Sequence, residues 1–188
     1  VLAAAGKAQG PARIVINCAG VLGAGRILTR EGSMSAAFFE NVLRVNVVGS
    51  FNLLRLSAEI MQTLPEIGSD KERGVIINTA SIAAYEGQIG QAAYAASKGA
   101  IVSLTLPAAR EFARFGVRVN AIAPGPVDTP MVAGMPDEVR KSLEATVPFP
   151  SRLIKPEEYA SLVKHLVENT AINGEVIRLD GALRMAPK

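Results

Sequence analysis

The run VIINTASIAAYEGQIGQAAYAASK, residues 75–98, decides how this chain is to be folded. It opens with Val75-Ile76-Ile77, apolar without alternation, which is the pattern of a strand buried on both faces of a sheet. Small and polar residues, Thr79-Ala80-Ser81, close that strand, and a helical pattern starts near Gln91. A buried strand followed by a helix is half of a parallel α/β unit, so the same signature is sought on either side. Three more runs carry it: Arg13–Cys18, Val117–Ala123 and Glu175–Leu179. The helices between them are also legible. The first follows Ser35 as N-cap and runs over 36–64 through Phe39, Val42, Leu43, Phe51, Leu54, Ile60 and Met61. The second spans 91–115 and stops at Gly116; Pro107 inside it is expected to bend or locally open it. The third begins at Pro156, with Tyr159, Leu162, Val163, Leu166 and Val167 on one stripe. The chain is therefore read as α/β, a parallel sheet with helices on both faces.

Outside these elements, residues 1–8 read as a helix already under way, and no internal repeat is visible. The stretch 124–153 is rich in proline, with Met131 and Met135, and reads as a substrate loop or lid rather than a plain turn.

Composition narrows the chemistry. At 188 residues, 49% hydrophobic and 20% charged, the chain is one globular domain. Its 20 basic and 17 acidic residues leave a net charge of +3, with no basic block, so no nucleic-acid partner is expected. No apolar run reaches the roughly 18 residues of a membrane span, so no membrane partner is expected either. One cysteine excludes an internal disulfide framework and any Cys-rich metal site. The one histidine, His165, lies off the apolar stripe of its helix beside Lys164 and Glu168, which removes the base of any Ser–His triad and every multi-His centre. No metal site is expected. No signal pattern follows Val1, so the expected location is the cytoplasm, or the mitochondrial matrix if a transit segment precedes Val1.

In an open parallel sheet, ligands bind beyond the carboxyl ends of the strands. There the sequence places Asn17-Cys18-Ala19-Gly20, Thr79-Ala80-Ser81 and Pro124-Gly125-Pro126-Val127-Asp128-Thr129. Tyr94 and Lys98, at i and i+4, share one face of the helix that follows. A tyrosine exchanges protons near neutrality only if its pKa of about 10 falls, and a neighbouring ammonium is the obvious source. By itself the pair also reads as a structural one on a helix surface. Asn46 is polar within Val45-Asn46-Val47-Val48, and a buried amide there needs partners.

Taken together and in this order, these segments resemble the short-chain dehydrogenase/reductase family. Ala92-Ala93-Tyr94, Val147-Pro148-Phe149-Pro150 and Asn173-Gly174-Glu175-Val176-Ile177-Arg178-Leu179-Asp180-Gly181 resemble most the members that act on 3-hydroxyacyl-CoA or steroid alcohols. The resemblance implies a Rossmann-like sheet lacking its first strands. It implies NAD-dependent oxidation of a 3-hydroxyacyl-CoA or related secondary alcohol, with NADP not excluded as cofactor. Two alternatives stand beside it: reduction of a 3-oxoacyl group on a carrier protein, or an inactive fragment that keeps only assembly surfaces. By the same resemblance Tyr94 is the acid/base, Ser81 fixes the substrate oxygen, Lys98 holds the nicotinamide ribose and lowers the Tyr94 pKa, and Asn46 holds a relay water. Asn17, Cys18 and Gly20 border the adenosine half of the cofactor, while Pro124, Val127 and Thr129 lie toward its carboxamide end. Cys18 reads equally as a small filler at a strand end. Gln88 is a candidate substrate contact, and Met131 and Met135 line an acyl pocket or merely pack the loop. A homodimer or homotetramer through helices 36–64 and 91–115 is expected.

The family's Gly-x-x-x-Gly-x-Gly turn, which binds pyrophosphate, has no match here. Gly20, Gly23 and Gly25 are short of its spacing and follow the wrong strand, so they read as a flexible loop. The single domain over 1–188 is accordingly read as N-terminally incomplete, and without that turn residues 1–188 alone are expected to show no dehydrogenase activity.

Overall fold

The computed structural model describes residues 2–133 and 136–187. In chain order the elements are helix α1 (Leu2–Gln9), strand β1 (Ile14–Asn17), and a small hairpin of β2 (Leu28–Thr29) with β3 (Gly32–Ser33). Helix α2 (Ala36–Leu43) continues through one wider π turn, Arg44–Val48, into α3 (Gly49–Met61). Then come β4 (Gly74–Thr79), α4 (Ala92–Phe112), β5 (Val117–Pro124), α5 (Pro130–Ala133), α6 (Asp137–Ala145), α7 (Pro156–Glu168) and β6 (Val176–Leu179).

Four strands form one parallel sheet in the order β1-β4-β5-β6. The alternation of side chains decides what lies on each face. Val15, Ile76, Val117 and Val119 point to one side, where Leu54, Ala58 and Met61 of α3 and Ala108 and Ala109 of α4 cover them. Val75, Ile77 and Ile122 point to the other, against Leu166 and the stripe of α7. This is the expected α/β sheet with helices on both faces. Register brings the strand ends level: Asn17 pairs with Asn78, Thr79 with Ile122 and Pro124 with Leu179. The segments that follow β1, β4 and β5 therefore emerge on one edge.

The helix ends follow their sequence signals. Ser35 Oγ accepts from the Phe38 N–H at 3.2 Å. Gly116 closes the helix after Phe115 at φ 68°, a conformation costly for other residues, and a Cβ there would meet the Lys71 carbonyl oxygen at 2.5 Å. At the start of α7, Pro156 needs no N–H partner and Glu158 accepts from the Lys155 N–H at 2.8 Å.

Three features depart from the sequence reading. The π turn interrupts the helix expected over 36–64, and it is centred on Asn46. Helix α4 runs through Pro107 without a break. The proline-rich stretch 124–153 contains α5 and α6; Pro136 directly precedes α6, and Asp137 and Glu138 fill its first turn, where acidic groups complement the helix dipole. No helix is long and apolar enough to cross a membrane among the described residues.

Candidate active site

A cavity of about 230 Å³ opens where β1, β4 and β5 end. Ser81, Tyr94 and Lys98 line it together with Cys18 and Gly20, and Pro124, Val127 and Thr129 form its far wall. Eight of the residues singled out in the sequence thus converge on one space. Each has a local reason to be there. Ser81 sits just past β4 in extended backbone and caps the short helical turn Ile82–Ala84, its Oγ accepting from the Ala83 N–H at 3.1 Å. Tyr94 and Lys98 project from the first two turns of α4 onto the same face.

Lys98 is only 6% exposed, so its amine must find partners inside the protein. It donates to the Thr79 carbonyl oxygen at 2.7 Å and lies 5.7 Å from the centre of the Tyr94 ring. Burial lowers its pKa from 10.5 to about 8. Burial also acts on Tyr94, and raises its pKa above the ordinary phenol value; the neighbouring Ser81 hydroxyl works in the opposite direction. The sequence reading expected the reverse, a tyrosine pulled down by the lysine. The physical reason for the difference is that Lys98, with its pKa lowered to about 8, has already lost its proton at the pH where a tyrosine raised above 10 titrates, so no ammonium field offsets the burial of the phenol.

Asn46 is buried at 1% exposure and every hydrogen of its amide is used. Its Nδ2 donates to the Val21 carbonyl oxygen and to Ser97 Oγ, each at 2.9 Å, and its Oδ1 accepts from the Val21 N–H at 2.8 Å. Ser97 in turn donates to the Tyr94 carbonyl oxygen at 2.7 Å. Asn46 is therefore an anchor joining the loop after β1 to α4. That loop, read as flexible, is pinned again where the Gly25 N–H donates to the Gly90 carbonyl oxygen at 2.7 Å. Gly20 lies close under the site: a Cβ there would sit 3.3 Å from Asn46 Oδ1 and 3.6 Å from Lys98 Nζ. The position therefore leaves room beside the lysine for a ligand to approach.

Besides Asn46, which stands behind the cavity rather than lining it, two residues fall elsewhere. Asn17 is buried in β1 beside Asn78, its amide 3.5 Å from the Asn78 side-chain oxygen, and does not line the cavity. Gln88 lines a larger groove of about 530 Å³ around the side of α4, and its amide donates to the Ala186 carbonyl oxygen at 3.0 Å. The smaller cavity holds the reactive groups, and chemistry rather than size identifies it as the site. Met135 and the side chain of Met131 lie outside the described residues. The sequence reading missed Tyr159, which was assigned only to the apolar stripe of α7. Its hydroxyl is 2.6 Å from Thr79 Oγ1 and 4.0 Å from Cys18 Sγ, and burial raises its pKa. A tyrosine in a helix stripe that reaches a strand end was the available signal.

A sheet edge that gathers a serine, a tyrosine and a lysine four residues on defines a class, and the comparisons agree with it. A family model described as enoyl-(acyl carrier protein) reductase matches residues 1–183. The chain belongs to the short-chain dehydrogenase/reductase family and is an oxidoreductase. It is 52% identical over 177 residues to 3-hydroxyacyl-CoA dehydrogenase type-2 of Bos taurus, covering 93% of this chain and 67% of that one. It is 34% identical over 180 residues to (3R)-3-hydroxyacyl-CoA dehydrogenase of Rattus norvegicus, covering 93% and 64%. A crystal structure of 3-hydroxyacyl-CoA dehydrogenase type-2 from Mycobacterium avium superposes with a TM-score of 0.91 at 41% identity, over 100% of this chain and 74% of that one. The chain spans about two thirds of the length of the first of these relatives.

Proposed function

We propose that this protein oxidises the 3-hydroxyl of a 3-hydroxyacyl-CoA, or a related secondary alcohol, using NAD. The observation that carries the reading is the meeting of Ser81, Tyr94 and Lys98 in one cavity at the carboxyl edge of the sheet. The relatives named for 3-hydroxyacyl-CoA support the substrate class. In this reading Ser81 and the Tyr94 hydroxyl hold the substrate oxygen between them, and Tyr94 takes its proton as the carbon is oxidised. A bound nicotinamide supplies the acceptor for the hydride that leaves that carbon. Lys98 would hold the ribose hydroxyls of the cofactor, and Pro124, Val127 and Thr129 would border its carboxamide. The cavity fits such a group on two grounds: the buried amine of Lys98 faces it, and Gly20 keeps the space beside that amine clear. Asn46 holds the loop that forms this wall.

The groove between α3 and α4, lined by Phe51, Leu104, Pro107, Phe112 and Phe115, is the surface through which copies of this chain would associate as a dimer or tetramer. Activity is tested by following reduced nicotinamide at 340 nm with 3-hydroxyacyl-CoA substrates of several lengths and either NAD or NADP. Oxidation with NAD is expected of a polypeptide that carries these residues together with a pyrophosphate-binding turn. Turnover confined to NADPH and a 3-oxoacyl carrier protein would replace this reading with the reductase.

A further inference from the structure

The segment between Ser81 and Tyr94 has to hold both groups in register; Ile82 and Ala83 seat its start in the core, but beyond Ala84 its apolar grip weakens. Tyr85 is 48% exposed and Ile89 53%. What fastens it is an ion pair with the far end of the sheet. Both carboxylate oxygens of Glu86 accept from Arg178 of β6, at 2.8 and 2.9 Å. Two parallel bonds fix orientation as well as distance. The guanidinium also donates from Nε to Asp180 Oδ2 at 2.6 Å and to the Leu183 carbonyl oxygen at 3.0 Å, and lies 5.2 Å from the Tyr85 ring centre. Arg184 adds contacts to Asp180 and Glu86 at 3.3 and 3.5 Å, so two carboxylates face two guanidiniums. The C-terminal segment then runs along the loop: the Met185 N–H reaches Glu86, Gln88 donates to Ala186, and the Ile89 N–H donates to Pro187. Arg178 is not free to follow the loop, because it sits level with Ala123 of β5 one residue before the cavity wall at Pro124.

We propose that the Glu86–Arg178 pair is a positioning clamp, which locks the Ser81–Tyr94 connection and residues 183–187 onto the β5–β6 edge and so sets the distance between the two groups that hold the substrate oxygen. Neither residue touches the cavity, so both act through Ser81 and Tyr94. The pair is partly buried, each side chain 22% exposed, and lies in a balanced network, so it is held more firmly than a solvated surface pair.

The functional part of this inference rests on the proposed dehydrogenase activity, and the test separates the two. Glu86→Gln keeps the shape but loses the paired charge; Glu86→Asp keeps the charge but withdraws it by one methylene. Hydrogen exchange is measured on wild type and both variants, along with turnover, the KM for a 3-hydroxyacyl-CoA, and NAD affinity by calorimetry. Faster exchange is expected in residues 82–91 and 183–187 of Glu86→Gln, with the sheet strands unchanged. The variant should lose about tenfold to a hundredfold in kcat/KM for the acyl substrate, the scale of a small misplacement of reacting groups. NAD affinity should stay within about twofold of wild type, since no cofactor contact is altered. Glu86→Asp should fall between the two. Wild-type exchange and wild-type kcat/KM in both variants would overturn the clamp, as would a parallel loss of acyl and NAD binding with a lowered melting temperature. Failure of wild type to oxidise any 3-hydroxyacyl-CoA would overturn the proposed function, while local exchange would still report on the clamp.

Discussion

Lys98 is where burial and chemistry meet at the scale of a single residue. Its amine releases its proton near pH 8 in the folded protein, against 10.5 for an ordinary lysine. The folded state therefore binds this proton more weakly than the unfolded chain. The resulting contribution to stability is fully present above pH 10.5 and is lost progressively as pH falls toward about 8. An NMR titration of lysine side chains labelled at Cε should show one resonance that moves near pH 8 and disappears in Lys98→Met. If no lysine of the folded protein titrates below about pH 10, the account of the buried amine fails. For Tyr94 the sign is opposite: its raised pKa leaves the phenol protonated at neutral pH, so abstraction of a proton from alcohol becomes easier as pH rises.

Asn46 makes the same point for elements, because one side chain ties the loop after β1 to α4 through the π turn. Asn46→Ala would remove the three bonds through which Asn46 joins the loop after β1 to α4; Ser97, fully buried, would lose its donor, and breaking a buried hydrogen bond in this way costs about 1–3 kcal/mol. Denaturant unfolding should register a loss of that size, and a variant as stable as wild type would contradict the anchor. How much of this was readable in advance differs by element. The strands and α7 were legible because buried strands read as uninterrupted apolar runs and α7 carries a full helical stripe. The convergence of Ser81, Tyr94 and Lys98 was legible because strand ends in a parallel sheet share one edge. The π turn was not, since Val45-Asn46-Val47-Val48 carries no breaker and only the amide's tertiary partners select the wider turn. Helices α5 and α6 were hidden by the prolines that start them. The Tyr94 pKa was misjudged because spacing on a helix gives proximity but says nothing of burial or of whether the amine is still charged where the phenol titrates.

At the scale of the whole molecule, the site occupies one edge of a sheet while other surfaces remain for association. Strand β1 pairs only with β4 among the described residues, and on its uncovered face Ile14 and Ile16 are 49% and 40% exposed. The α3–α4 groove presents Phe51, which is also exposed. Neither surface touches Ser81, Tyr94 or Lys98, so the chemistry can be tested apart from assembly. The central claim is that Tyr94 exchanges the substrate's proton, and removing its hydroxyl alone tests this most directly. Turnover of 3-hydroxyacyl-CoA by Tyr94→Phe in the full chain, measured beside wild type of equal melting temperature, should be lower by about a hundredfold or more. Turnover within a few-fold of wild type would contradict it.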